Sequence, residues 1–162
     1  MLDELDLEIL LQLQKDGRLS HAAIGKEIGM TGPSVYARIK RMEQEGVIEG
    51  YTVVLNPAKL ERGLVAFVRV MTSTGLEGDG AFEEFARKEP LIMECHDVDG
   101  EDSYILKVRT SSTQSLRVLL SRIRGFPAVS RTITSIVLQS IKEPPTGNLL
   151  EGTKVERNKD VN

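Results

Sequence analysis

Apolar positions in the first forty residues repeat with a helical period. Leu5, Ile9 and Leu13 recur at four-residue spacing with Leu2 and Leu10 beside them, which is one face of an amphipathic helix. Asp3, Glu4 and Asp6 fall in its first turn, where negative charge suits the positive helix end. Gly17 in "KDGR" is its expected stop. A second, shorter helix follows, with Ser20 placed to cap it, Ile24 and Ile28 pointing one way, and Gly29 closing it. Thr31 then caps a third helix, in whose first turn Pro33 is tolerated. Two short helices joined by a Gly-containing turn are either an ordinary helical hairpin or a helix-turn-helix.

The third helix favours the second reading. Val35, Ile39 and Met42 form its inward stripe. Steps of ~100° per residue place Pro33, Ser34, Ala37, Lys40, Arg41 and Gln44 on the opposite face, with Tyr36 and Arg38 flanking it. That face is small at its N-terminal end and basic farther along, and no acid occurs between Met30 and Met42. A merely solvated face would mix signs at i,i+4. The layout suits a helix in a DNA major groove, with Thr31, Pro33, Ser34, Tyr36 and Ala37 near base edges and Arg38, Lys40 and Arg41 near phosphates. Gly46 ends the helix. Val47, Ile48, Tyr51, Val53, Val54 and Leu55 then read as short strands about an "EG" turn, a wing or linker strand, before Asn56-Pro57 marks a boundary.

Beyond residue 63 the pattern gives strand, helix, two strands, helix and strand. "LVAFVRVMT" is the first strand, and Phe82, Phe85 and Ala86 mark the inner side of a helix ended by Pro90. "LIMECHDVDG" and "DSYILKVRT" are strands joined across Gly100. Leu116, Leu119, Leu120 and Ile123 line the second helix, and "AVSRTITSIVLQSI" is a long last strand. This βαββαβ order is the ferredoxin-like pattern, with two helices on one face of a four-stranded antiparallel sheet. The other face needs cover, and pairing with a second copy supplies it, with Val68 and Leu106 as expected contributors. A two-fold dimer also matches palindromic DNA, whose successive grooves lie ~34 Å apart. The tail from Lys142 is polar and carries Pro-Pro; it reads as an extension that Leu149-Leu150 could anchor.

Composition narrows the chemistry. A net charge of -3 over 162 residues means that any nucleic-acid contact must be local. With 4% aromatics and no Trp, a base-stacking platform is not expected. The single Cys95 allows no intrachain disulfide and fits a reducing compartment. The acidic N-terminus does not have the make-up of a signal peptide, and no apolar run approaches ~18 residues. A cytoplasmic protein without a membrane partner is the expectation.

His21 and His96 share no metal spacing, and the adjacent Cys95 and His96 must point to opposite sides of a strand. "GLEGDG" has no following Lys-Ser pair and is no phosphate loop, and the serines of 111–115 read as a helix cap. No catalytic set, metal site or cofactor is expected. The turn "VDGEDSY" is the small-molecule candidate: backbone amides about Gly100 could meet an amino acid's carboxylate, and Glu101 or Asp102 its ammonium group. The plainer alternative is a polar hairpin turn with its own hydrogen bonds.

Three stretches resemble one family: "LDELDLEILLQLQKDGRLS", "IGKEIGMTGPSVYARIKRMEQEGVIEGYTVVLNP" and "HDVDGEDSYILKV". Over roughly residues 2 to 142 the chain resembles the Lrp/AsnC feast/famine transcription regulators, and the run from Arg38 to Tyr51 carries most of that specificity. The resemblance implies an α+β protein: a winged helix-turn-helix domain at 1–50, a linker strand or hinge at 51–63, a ferredoxin-like RAM domain at 64–142, and an extension at 143–162. It implies double-stranded DNA as partner, dimers that associate into octamers or similar rings, and a free amino acid as effector. The effector would sit at Gly100, Glu101, Asp102 and Ser103, at a subunit interface, with Thr132 and Thr134 from the last strand. Two departures stand out. Ile24-Gly25 replaces a common Leu-Ala, which lowers helix propensity in the second helix by about 1 kcal/mol. Ser103 stands where many members carry an acid, which weakens ammonium recognition. The competing functional reading is an amino-acid sensor that acts through a protein partner instead of DNA.

Overall fold

The computed structural model describes residues 2–73 and 80–143. The "GLEGDG" run up to Asp79, and the tail with Leu149-Leu150, lie outside the described residues. The protein is α+β, in two compact units, one reaching Val54 and the other spanning Leu55–Lys142.

The first unit holds three helices, α1 (Glu4–Lys15), α2 (His21–Ile28) and α3 (Gly32–Gln44). Each start is capped by a side chain. Asp3 forms a reciprocal capping box with Asp6, Ser20 accepts from the Ala23 amide, and Thr31 accepts from the Ser34 amide. Gly29 closes α2 in the left-handed region at φ 71°. Gly17 does not stop α1: Asp16 does, in extended backbone, with its amide on Gln12 O and its carboxylate accepting from the Arg18 amide at 2.9 Å. The core is Ile9, Ile24, Val35, Ile39 and Met42, all but excluded from solvent. Gly25 serves that packing. A Cβ there would lie 2.4 Å from the Met30 carbonyl oxygen, so its lack of a side chain lets the turn close onto α2.

The strands expected around residues 47–55 are not formed among the described residues of this unit. Tyr51, Val53, Val54 and Leu55 have no ladder partners and are exposed. β-branched composition favours a strand only where a neighbour can pair with it, and a short ribbon by itself is at best marginal.

The second unit opens on a 3-10 turn at Ala58–Leu60 and continues β1 (Leu64–Thr72), α4 (Gly80–Lys88), β2 (Ile92–Asp97), β3 (Tyr104–Thr110), α5 (Thr113–Arg124) and β4 (Val129–Ile136). The antiparallel sheet has the order β2-β3-β1-β4, the ferredoxin-like arrangement. Alternate residues Ala66, Val68, Val70, Tyr104, Leu106 and Val108 pack under Phe82, Ala86 and the apolar side of α5. Val68 and Leu106 are therefore fully buried in the unit's own core and do not contribute to the uncovered face. Side chains alternate across a strand, so the uncovered face carries the other parity: Phe67, Arg69, Ile105, Lys107 and Ile133. β4 is also shorter than expected. Its ladder ends at Ala66↔Ile136 because β1 begins at Leu64, and Leu138 and Ile141 are exposed beyond it.

Candidate nucleic-acid interface and effector turn

The inward stripe of α3 fixes what its other side can present. With Val35, Ile39 and Met42 buried, Thr31, Pro33, Ser34, Tyr36, Ala37 and Lys40 are exposed. The start of the helix is pre-shaped by Thr31 Oγ1, which lies 2.8 Å from Ser34 Oγ, and Pro33 sits in the first turn. Tyr36 packs its ring against His21 of α2, 5.3 Å between centroids. Small side chains at 33, 34 and 37 leave this stretch of backbone open to close approach.

The cations are placed differently from the sequence expectation. Arg41 was expected on the outward face and Arg38 at its edge, both free for phosphates. Both instead turn to the start of α1. Arg38 Nη1 donates to Asp3 Oδ2 at 2.6 Å and to Asp6 Oδ1 at 2.8 Å, and Arg41 Nη2 donates to Asp6 Oδ2. Asp6 is wholly buried. A buried carboxylate must be paired and hydrogen-bonded, and two long, flexible side chains within reach supply this. Burial alone would raise the pKa of Asp3. The hydrogen bond from Arg38, the Asp6 amide and the charge of Arg38 more than offset this and hold it below its ordinary value.

Lys40 is also paired. Its Nζ lies 2.7 Å from Glu43, which in turn accepts from Tyr51 Oη at 3.0 Å. The hydrogen bond from Lys40, then that from Tyr51, keep the Glu43 carboxyl below its usual range. Residues 1–50 contain six Lys and Arg against nine Asp and Glu. Attraction to phosphate therefore depends on how individual cations are held, not on a basic surface.

The sequence reading missed the roles of Asp3 and Asp6. The signal was present in a spacing: two acids three residues apart at the cap and first turn of α1, and two arginines three residues apart along one side of α3.

At the effector turn, Gly100 takes φ 137°, a region open to glycine, and it and Glu101 are exposed. Asp102 Oδ2 accepts from Arg69 Nε at 2.6 Å, and its Oδ1 is buried without a hydrogen-bond partner among the described residues. Ser103 is drawn into the sheet: its Oγ accepts from the Thr72 amide at 3.1 Å and from Thr72 Oγ1 at 3.0 Å. Thr132 and Thr134 pair with Val70 and Val68, so they share the helix-covered side, with β1 between β4 and the turn's own strand β3. Thr132 Oγ1 accepts from Arg124 Nε at 2.8 Å, and Thr134 Oγ1 is buried without a partner among the described residues. One chain thus does not bring the turn and the threonines together.

A separate cleft of about 400 Å³ lies between α4 and β2, lined by Glu83, Arg87, Glu94, Cys95, Asp97, Tyr104 and apolar neighbours. None of the six effector candidates lines it. Its single guanidinium is already paired with Glu83 at 2.9 Å among three carboxylates, a poor host for an amino acid's carboxylate. Burial raises the pKa of the Cys95 thiol, as expected for a packed, inert cysteine. Among the described residues no group of His, Cys, Asp and Glu is arranged to hold a metal, and no helix is long and apolar enough to cross a membrane.

Two family models divide the chain as its fold does. Residues 2–49 match a winged helix-turn-helix DNA-binding model, and residues 65–146 match the Lrp/AsnC ligand binding domain. The chain is 42% identical over 146 residues to the proline dehydrogenase transcriptional activator of Rhizobium radiobacter, covering 88% of this chain and 92% of that protein. The chain belongs to the Lrp/AsnC family of transcriptional regulators. It is 36% identical to the leucine-responsive regulatory protein of Escherichia coli strain K12, covering 88% of each. Among solved structures it resembles a transcriptional regulator of Neisseria meningitidis in complex with L-Met, with TM-score 0.84, 27% identity and coverage of 90% and 95%. It also resembles Escherichia coli AsnC, with TM-score 0.81, 25% identity and coverage of 88% and 96%. The three-helix unit of this Lrp/AsnC regulator is its DNA-binding domain, and the protein is a DNA-binding transcriptional regulator.

Proposed function

We propose that this Lrp/AsnC regulator reads duplex DNA through the first two turns of α3, as a homodimer or a higher assembly such as an octamer. The observation that carries this is the exposed, small-residue face of Thr31, Pro33, Ser34, Tyr36 and Ala37, capped at its start and followed by Lys40. Base edges are met from the helix start, where close approach is sterically open, and free amides there suit a phosphate. Arg38 and Arg41 are held by Asp3 and Asp6 and are not free cations on this face. Binding to chromosomal DNA supports a cytoplasmic location.

The turn at Gly100–Ser103 is the proposed effector site, completed across a subunit interface by Thr132 and Thr134 of another copy. With Ser103 engaged by Thr72, the ammonium group falls to Glu101 or to the unpartnered Oδ1 of Asp102. The named relatives include a leucine-responsive protein and a complex with L-Met, which makes apolar amino acids the first to test.

Fluorescence anisotropy with a duplex from upstream of the protein's own gene tests the DNA reading. Ala37→Glu and Lys40→Ala should weaken binding while the melting temperature stays unchanged. Unchanged affinity in both variants would remove α3 from the interface. Light scattering with and without leucine or methionine should show a ligand-dependent change in assembly, which Asp102→Asn diminishes.

A further inference from the structure

We propose that Asp6 is a positioning residue for DNA binding: it holds the Arg41 guanidinium in place to meet the phosphate backbone, while Arg38 is a tether between helices and no phosphate ligand. The inference rests on the reading of α3 as the DNA-contacting helix.

The two arginines are held in different ways. Arg38 shares one nitrogen, Nη1, between Asp3 at 2.6 Å and Asp6 at 2.8 Å, and its side chain is 25% exposed. Two carboxylates on one nitrogen leave it bound into α1. Arg41 has a single partner, Asp6 through Nη2, and its side chain is 42% exposed. A guanidinium carries five donors in a rigid fork. Arg41 is thus fixed at one corner; its Nε is buried, the donors of its terminal nitrogens beyond the one given to Asp6 are uncommitted, and it stands next to Lys40 and one turn beyond Ala37.

Asp6 itself accepts three hydrogen bonds. Its Oδ1 takes Arg38, and its Oδ2 takes Arg41 and, at 3.0 Å, the Asp3 amide. It has no exposure to solvent. Its reciprocal bond with Asp3 ties this carboxylate to the cap of α1, so the anchor is as rigid as the helix start. A long cationic side chain held in one orientation loses less freedom when it meets a phosphate. In a domain with more acids than bases, such a pre-set cation counts for more than a mobile one.

A carboxylate beside a DNA-facing arginine has two opposite effects. Its charge repels phosphate, and its grip orients the guanidinium. Asp6→Asn separates them, because it removes the charge and keeps the shape. By charge alone, Asp6→Asn binds DNA more tightly. Under the positioning role it binds more weakly although the protein is less negative.

The test uses full-length protein and sheared genomic DNA, with affinity followed across a salt series. Asp6→Asn should lose roughly fivefold in affinity, and the slope of log affinity against log salt should flatten by about one phosphate contact. Arg41→Gln should show the same flattening, and the double variant should add nothing to it. Arg38→Gln should lower the melting temperature and leave the slope at the wild-type value. If Asp6→Asn fails to fold, Asp6→Glu takes its place: it keeps the charge, displaces it by one methylene, and should show the same loss. Equal or tighter binding with an unchanged slope in the folded Asp6 variant, beside a wild type that binds, overturns the inference alone. An equal flattening in Arg38→Gln overturns the division between the arginines. A wild type that binds no duplex at low salt overturns the DNA reading and this inference together.

Discussion

At Gly25 a missing side chain decides how closely α2 can approach the turn that follows it. The Met30 amide donates to Gly25 O at 2.8 Å, and the Met30 carbonyl oxygen occupies the space where a Cβ would stand, 2.4 Å away. Helix propensity alone favours Gly25→Ala by about 1 kcal/mol. The clash is with backbone, which cannot swing aside as a side chain can, so the steric term wins. Gly25→Ala is expected to destabilise by roughly 1–3 kcal/mol, the usual cost of overpacking, measurable as a lower urea midpoint with an unchanged slope. Gain of stability in that variant would mean that the turn relaxes freely. The same residue shows what a sequence reading can reach. Propensity is a local count and reads Gly25 as a weakness of the helix. The contact that makes glycine fit runs to the backbone of Met30, outside the helix, and no periodicity encodes it. Arg41 was misplaced for a related reason: a helical wheel assigns a direction to Cβ, whereas a long side chain can bend back to a buried acid.

Between elements, the contact of α1 with α3 is ionic as well as apolar, and this makes the first unit acid-sensitive. Burial works against the Asp3 carboxylate, but Arg38 and the Asp6 amide outweigh it, so its folded pKa lies below the ordinary 3.8. A group with a depressed folded pKa contributes stability that is present in full above its unfolded value and lost as pH falls through the folded one. Melting followed by circular dichroism should hold steady from neutral pH to about pH 5 and fall below about pH 4. Asp3→Asn should remove part of that acid dependence and lower stability at pH 7. An acid profile identical in wild type and Asp3→Asn would show that the pairing contributes nothing. Elements also set the limit of what was legible. Helices and strands of the second unit follow from apolar spacing because each packs a continuous face, as Leu116, Leu119, Leu120 and Ile123 do. The uncovered face was read with the wrong parity because both parities of β1 are apolar, Phe67 as well as Val68. Only the buried helices show which set faces inward. Strands at 47–55 do not form and β4 is shorter than its apolar run, because a strand needs a neighbour, and neighbours are not in the local sequence.

For the whole molecule, the uncovered sheet face carries the argument for assembly. Phe67 is 42% exposed there, beside Ile105 and Ile133 and among ion pairs of Arg69 with Asp102 and Lys107 with Glu94. Apolar side chains interleaved with charges that are already paired leave a face that can be buried against a second copy. Phe67→Asp puts a charge on that face without touching Val68, Leu106 or the helices, so the unit should keep its fold and its melting should change little. Its mass by light scattering should drop to that of the monomer at concentrations where the wild type is associated. Two DNA-binding units that act together bind with the gain of linkage, because the second binds at a high effective concentration. The monomeric variant should therefore also lose DNA affinity, on the order of 10²-fold or more, although α3 is intact. The salt slope should fall toward half, since one unit meets half the phosphates. A Phe67→Asp protein that stays associated would move the interface to another surface. One that is monomeric but binds DNA as tightly as wild type would show that a single unit carries the whole of recognition.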